Sequence, residues 1–294
     1  MEPGGFGNGD PSYHRANGTK NVFVSAFCFA TSVLTPCPPF GPELKISAQE
    51  QIEFMLGEDS DTLLITSEEE VKSAVRKGLS EIRSSFETTL STLLIGMGQG
   101  PVIKESEAII LQRLNDLEWI CNILPKMELM KDFVLMWVDI SGYVLGVVED
   151  EKLESQMWGL KLKLIELTGK VLDAVGYGTV ILPAPSRVKL LKLWLPYIRK
   201  VKALLDLKSE AITGFAYKMD EDLCQSIEGT IVSFVLALPS NDQADILADW
   251  MKNEDCVSFP DLTEAFEIWC FRAKTAKRRL VEGLERTRND SVTP

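Results

Sequence analysis

Histidine is nearly missing from this chain: His14 is the only one in 294 residues. A Ser-His-Asp or Cys-His arrangement needs an imidazole to take the nucleophile's proton. His14 falls in a glycine-rich, polar start, so those hydrolytic mechanisms have no base in the body of the chain. Cysteine is sparse and scattered, at positions 28, 37, 121, 224, 256 and 270, with no Cys-x-x-Cys pair. Zinc sites draw on close Cys and His pairs, so no metal centre or cofactor is expected. The thiols fit a reducing, intracellular compartment (cytoplasm, nucleus or both), with Cys121 and Cys270 as small apolar packing residues.

Long apolar runs are also absent. The run Val22 to Leu34 is apolar but shorter than the roughly 20 residues that a membrane span takes. The opening "MEPGGFGNGD" has no basic segment leading into an apolar one, so no secretory signal is expected. Positive charge is in deficit: 31 basic against 43 acidic residues give a net charge of −12, which argues against general nucleic-acid binding. Nor does any stretch alternate apolar and polar residues long enough for a dependable strand; "GTVIL" (178–182) is the one tempting run.

What remains is helical periodicity. Residues 1–20 are expected to be a disordered tail, and the prolines of "TPCPPFGPEL" (35–44) to interrupt any helix. Ser47 with Glu50 reads as a capping box opening a short helix to Leu56. Thr66 or Ser67 caps a longer one, with Glu68, Glu69 and Glu70 in its first turn, where the helix dipole favours anions. Its apolar stripe is Val71, Val75, Leu79, Ile82, Phe86, Leu90 and Leu93. "GMGQGP" (96–101) stops it; lacking the Gly-Lys-Ser/Thr ending of a phosphate loop, it reads as a linker.

Further helices are expected from Lys104 to Leu124 (stripe Ile110, Leu114, Leu117, Cys121, Leu124), Met127 to Val148, and Glu151 to Val175. Residues 176–186 form a Gly- and Pro-containing linker between an N-terminal helical subdomain (21–175) and a C-terminal one (187–286), with a tail at 287–294. Helices follow near Ser186–Leu205, Asp220–Leu238, Asp242–Lys252 and Leu262–Glu285, with capping-box pairs at Ser240/Gln243 and Asp261/Glu264. About eight amphipathic helices with short connections predict an all-α bundle or irregular helical array, without a fixed-period repeat. Paired acids are plentiful, but their place at helix starts is explained by capping and the dipole, so no two-carboxylate catalyst is expected.

Two basic stretches carry the candidate binding residues. The first is Arg187, Lys189, Lys192, Arg199, Lys200 and Lys202, beside an apolar face with Trp194 and Leu195 and interrupted by Pro196. A basic amphipathic helix with an aromatic anchor suits calmodulin or an anionic membrane surface. It equally suits a core helix whose outer side bears cations; burial of Trp194 decides between the two. The second is Lys274, Lys277, Arg278 and Arg279, in the latter half of a helix whose Phe266, Trp269, Ala273, Ala276 and Leu280 share one face. Cations near a helix C-terminus complement its dipole, so that face reads as core and those cations as helix finishing, with partner binding as the alternative.

Several separate blocks resemble one family. "GTVILPAPSRVKLLKLWLPYIRKVKALLD", "IEGTIVSFVLALPSNDQADILADWM" and "FPDLTEAFEIWCFRAKTAKRRL" look like the C-terminal helical region of plant BTB/POZ domain-containing proteins. The matching features are Trp194-Leu195-Pro196, Leu238-Pro239 followed by Asp242, Trp250, and Ala265-Phe266-Glu267-x-Trp269 with Arg272. "SEAIILQRLNDLEWICNIL" resembles an internal helix of those proteins, and "CPPFGPELKISAQEQIEFML" the segment after their BTB fold. The resemblance spans about Asn21 to Arg286. It implies a non-enzymatic interaction module: substrate-specific adapters of cullin-3 RING ubiquitin ligases, whose BTB domain contacts the cullin while the helical region recruits a target protein. Only some forty-five residues precede Ser47, fewer than the hundred or so of a BTB fold, so a BTB-less variant is expected. The family's motifs carry no catalytic or ligand residues over to this sequence.

Overall fold

The computed structural model describes residues 11–32, 42–57, 66–95, 100–153, 156–252 and 259–290. Over those residues the chain is all-α: ten α-helices and two 3-10 turns, with no strand among the described residues. The first ten residues, most of the 35–44 proline stretch, most of the "GMGQGP" linker and residues 291–294 lie outside the described residues. No described helix is long and apolar enough to cross a membrane.

The chain forms two compact units, residues 1–135 and 136–294, which divide inside a helix. The first unit holds α1 (Pro11–Thr31), α2 (Glu43–Gly57), α3 (Glu69–Ile95), α4 (Gly100–Ile123), a 3-10 turn (Leu124–Met127) and the start of α5 (Met130–Val148). The apolar stripes expected on α3 and α4 are buried at every position, from Val71 to Leu93 and from Ile110 to Leu124.

Residues 11–20, expected to be disordered, are the first half of α1. From Lys20 onward the helix is held by tertiary contacts. Phe23, Phe27 and Ala30 are fully buried, and Lys20 pairs with Glu68 at 3.2 Å and Glu70 at 2.8 Å beside the start of α3. Gly78 makes the close approach possible, since a Cβ there would fall 2.8 Å from the side chains of Phe27 and Thr31. Ser47 sits inside α2 and caps nothing, because that helix begins at Glu43. A buried ion-pair cluster completes the unit: Asp116 on α4 lies 2.6 Å from Lys45 of α2 and 3.6 Å from Arg113.

The second unit contains the rest of α5, a 3-10 turn (Glu151–Leu153), α6 (Trp158–Gly176), α7 (Ala184–Ala211), α8 (Glu221–Leu236), α9 (Ser240–Lys252) and α10 (Thr263–Asp290). The single helix expected over 151–175 is broken, with Met157 in the left-handed region (φ 56°) and α6 starting after it. Its stripe is nonetheless buried from Leu153 to Val171, so burial of Met157 at the break offsets the backbone cost. α6 and α8 pack closely because Gly176 faces α8; a Cβ there would sit 3.1 Å from the Thr230 carbonyl oxygen. The 176–186 stretch joins α6 to α7 within this unit, with Val180 and Leu182 buried. α10 runs on through residues 287–290, part of the expected C-terminal tail.

Candidate functional site

α7 begins after Pro183, and Pro185 in its first turn costs no hydrogen bond, because the amides there have no intrahelical partner. The helix continues unbroken past Pro196 to Ala211. Proline removes one amide donor, and the carbonyl it deprives is that of exposed Lys192, where water can serve it.

Trp194 is fully buried. Its ring stacks on Trp137 at 5.7 Å between centroids and 14° between planes, and it meets Tyr197 edge-on at 5.6 Å. The Trp194 Nε1–H donates to Ser141 Oγ at 2.8 Å, the Ser141 hydroxyl donates to the Trp137 carbonyl at 2.6 Å, and Trp137 Nε1–H donates to Thr168 at 3.2 Å. Both indole donors are therefore satisfied inside an aromatic core, as a buried tryptophan requires.

The Tyr197 hydroxyl differs. It is buried with no hydrogen-bond partner among the described residues, and burial, followed by the nearby Glu149 charge, pushes its ionisation far above the usual phenol value. A raised pKa stabilises the fold below the unfolded-state value of 10.0, and that contribution is lost as pH rises beyond it. Tyr197→Phe should therefore leave stability at neutral pH unchanged, or raise it by about 1–2 kcal/mol. It should also flatten the decline above pH 10 by up to about 1.4 kcal/mol per pH unit. Urea melts of both proteins at neutral and alkaline pH test this. A clear loss at neutral pH would mean that the hydroxyl has a partner in solution.

The α7 cations divide by environment. Lys189, Lys192 and Lys200 are exposed, while Arg187, Arg199 and Lys202 are half-buried. Arg199 has its ionisation lowered by burial. Lys202 pairs with Asp206 and lies 5.8 Å from the Phe259 ring centroid. Arg187 Nη1 donates to the Ala237 carbonyl at 2.5 Å.

That last bond belongs to a node at the C-terminus of α8. A helix end leaves its last carbonyls without intrahelical partners and carries partial negative charge. Here Leu236 O accepts from Gln243 Nε2 (3.1 Å) and Arg272 Nη1 (3.3 Å), Leu238 O accepts from Gln243 Nε2 (2.7 Å), and Ala237 O takes Arg187. Gln243, expected to close a capping box on its own helix, serves the preceding helix instead. Trp269 Nε1–H reaches Ser240 O at 3.1 Å, and Trp250 Nε1–H reaches Pro260 O at 3.2 Å. Arg187, Gln243 and Arg272, far apart in the chain, thus meet at one helix end, while Trp250 and Trp269 fasten α9 and α10 beside it.

α10 departs from expectation. Asp261 accepts from the Thr263 amide (2.9 Å) and hydroxyl (2.5 Å), bonds that hold its carboxyl below the usual range. Leu262 and Ala265 are buried, but Phe266 and Trp269 are only half-buried, Ala273 likewise, and Ala276 is exposed; the Leu280 side chain lies outside the described ones. The face expected as core is so only near the start of the helix, because α10 leaves α8 and α9 after its first turns. Lys274, Lys277, Arg278 and Arg279 are all exposed, and Phe271 is 71% exposed.

In the first unit, a groove of about 590 Å³ between α1 and α3 is lined by Cys28, Ser32, Glu81 and several α3 hydroxyls. Thr88 and Thr89 turn their hydroxyls back onto the Ser84 and Ser85 carbonyls, so these hydroxyls are spent within the helix. Of the cysteines described, Cys121 is buried, Cys224 and Cys270 are half-buried, and Cys28 is exposed. No group of three His, Cys, Asp or Glu among the described residues could hold a metal ion.

These elements make up an all-helical protein fastened through aromatic, arginine and glutamine contacts, with cations left facing outward. The sequence profile of the family described as BTB/POZ Ankyrin-like repeat matches residues 71–276. The chain is 43% identical over 263 residues to the BTB/POZ domain-containing protein At3g05675 of Arabidopsis thaliana, covering 88% of this chain and 58% of that protein. The chain belongs to this plant BTB/POZ family. No solved structure matches it.

Proposed function

We propose that this chain is a non-enzymatic adapter that recruits a target protein to a cullin-3 RING ubiquitin ligase in the cytoplasm or nucleus. Family membership carries the reading. It is supported by the use of the motif residues: Trp194, Trp250, Trp269 and Arg272 build the fold, leaving the outward cations of α7 and α10 as the candidate partner-binding residues. The second reading, a calmodulin or membrane-surface ligand acting through residues 187–205, is disfavoured by the full burial of Trp194, its only large aromatic anchor apart from the buried Tyr197.

Cullin contact is attributed to the BTB fold, and the chain spans 58% of the curated relative it matches. The 294-residue chain should therefore retain cullin-3 weakly or not at all in a pull-down, beside a full-length relative that retains it. Binding tighter than about −8 kcal/mol, roughly micromolar, would mean that the helices themselves carry a cullin contact.

A further inference from the structure

We infer that the stretch of α10 from Phe271 to Arg279 is a docking surface for an acidic protein segment carrying an aromatic or aliphatic residue. The inference deepens the adapter reading by giving the chemistry of the target, and it does not depend on cullin-3. Three observations support it. First, Lys274, Lys277, Arg278 and Arg279 put four cations within six residues that contain no carboxylate, in a chain of net charge −12. An acidic segment is repelled by the protein's overall charge and attracted here.

Second, the helix dipole does not account for these cations. The dipole acts within the last turn, and α10 continues for about three turns beyond Arg279 to Asp290. Among the described residues, no carboxylate pairs with Lys274, Lys277 or Arg279. Third, Phe271 is 71% exposed and shares one stripe of the helix with Lys274 and Arg278, at spacings of three and seven. An apolar side chain beside cations matches a ligand that combines carboxylates with one apolar anchor. One exposed aromatic is too little for a membrane-surface helix, which needs a broad apolar face.

The test is fluorescence anisotropy with the full chain and a labelled peptide of aspartates and glutamates around one central phenylalanine. A variant carrying Lys274→Glu, Lys277→Glu and Arg279→Glu should bind about tenfold or more weakly, the scale a few exposed ion pairs provide. Phe271→Ala should weaken the phenylalanine peptide but not its alanine counterpart. A control on exposed cations of the first unit, Lys126→Glu with Lys131→Glu, should bind as the parent does. Circular dichroism should show every variant folded.

Equal loss in the first-unit control would mean unspecific attraction and overturn the inference, as would parent binding that ignores the α10 reversals. Retention on phosphatidylserine vesicles abolished by the α10 reversals, with no peptide binding, would assign the helix to a membrane surface instead. Because neither readout involves cullin-3, failure of this inference and failure of the adapter reading are separately visible.

Discussion

Trp194→Ala should lower the stability of the second unit by about 3–5 kcal/mol, the range for removing a large aromatic from a core. The substitution deletes a fully buried ring stacked on Trp137 and edge-on to Tyr197, and the helices cannot close over the space without moving both. It also removes the donor to Ser141, whose own proton is committed to the Trp137 carbonyl. Ser141→Ala separates the two contributions: it keeps the ring and leaves the Trp194 indole N–H buried without its acceptor, for a smaller loss of about 1–3 kcal/mol. Chemical denaturation followed by tryptophan fluorescence and circular dichroism measures both. A melting temperature unchanged by Trp194→Ala would mean that this ring is not a core element and would return the α7 face to consideration as a binding surface.

The second large effect belongs to the first unit. Asp116→Ala should cost about 3–5 kcal/mol, because Lys45 and Arg113 would keep their charges in a largely buried place without the carboxylate between them. The physical cause is the charge left behind rather than the strength of the pair. Removing both charges together should therefore do less harm: Asp116→Leu combined with Lys45→Met should be more stable than Asp116→Ala. A double-mutant cycle over Asp116 and Lys45 gives the coupling directly. Additive single effects would show that the 2.6 Å ion pair contributes nothing beyond its parts.

Helix existence was legible in the sequence wherever an apolar stripe recurred every three or four residues. The α3, α4 and α6 stripes are buried at every position named for them, because burial of one helical face is a local consequence of spacing. α1 was not legible. Its start, with Gly18 and polar neighbours, has the composition of a disordered tail, while from Lys20 onward the helix meets the distant partners Glu68, Glu70 and the Gly78 gap. The capping residues were legible as residues but not as partners. Gln243 and Ser47 have the right spacing for capping boxes, yet one serves another helix and the other lies inside its own.

The candidate site shows the same split. Both runs of cations could be named from sequence, since charge and aromatic content are properties of the residues themselves. Whether Trp194 or Trp269 is a core residue could not, because a helical stripe records only that a face is apolar, not how far a neighbouring helix extends along it. Contact along α7 is long enough to bury Trp194 completely, whereas α10 leaves its neighbours after a few turns, so Trp269 is half-buried and Phe271 lies open. The all-α class, the buried stripes and the family blocks were determined by the sequence alone, through local periodicity and residue type. The close approaches at Gly78 and Gly176, the gathering of Arg187, Gln243 and Arg272 at the end of α8, and the choice of which cationic helix faces outward were decided only by tertiary structure. Each of these depends on which helices meet and over what length, and residue spacing within a single helix does not encode that.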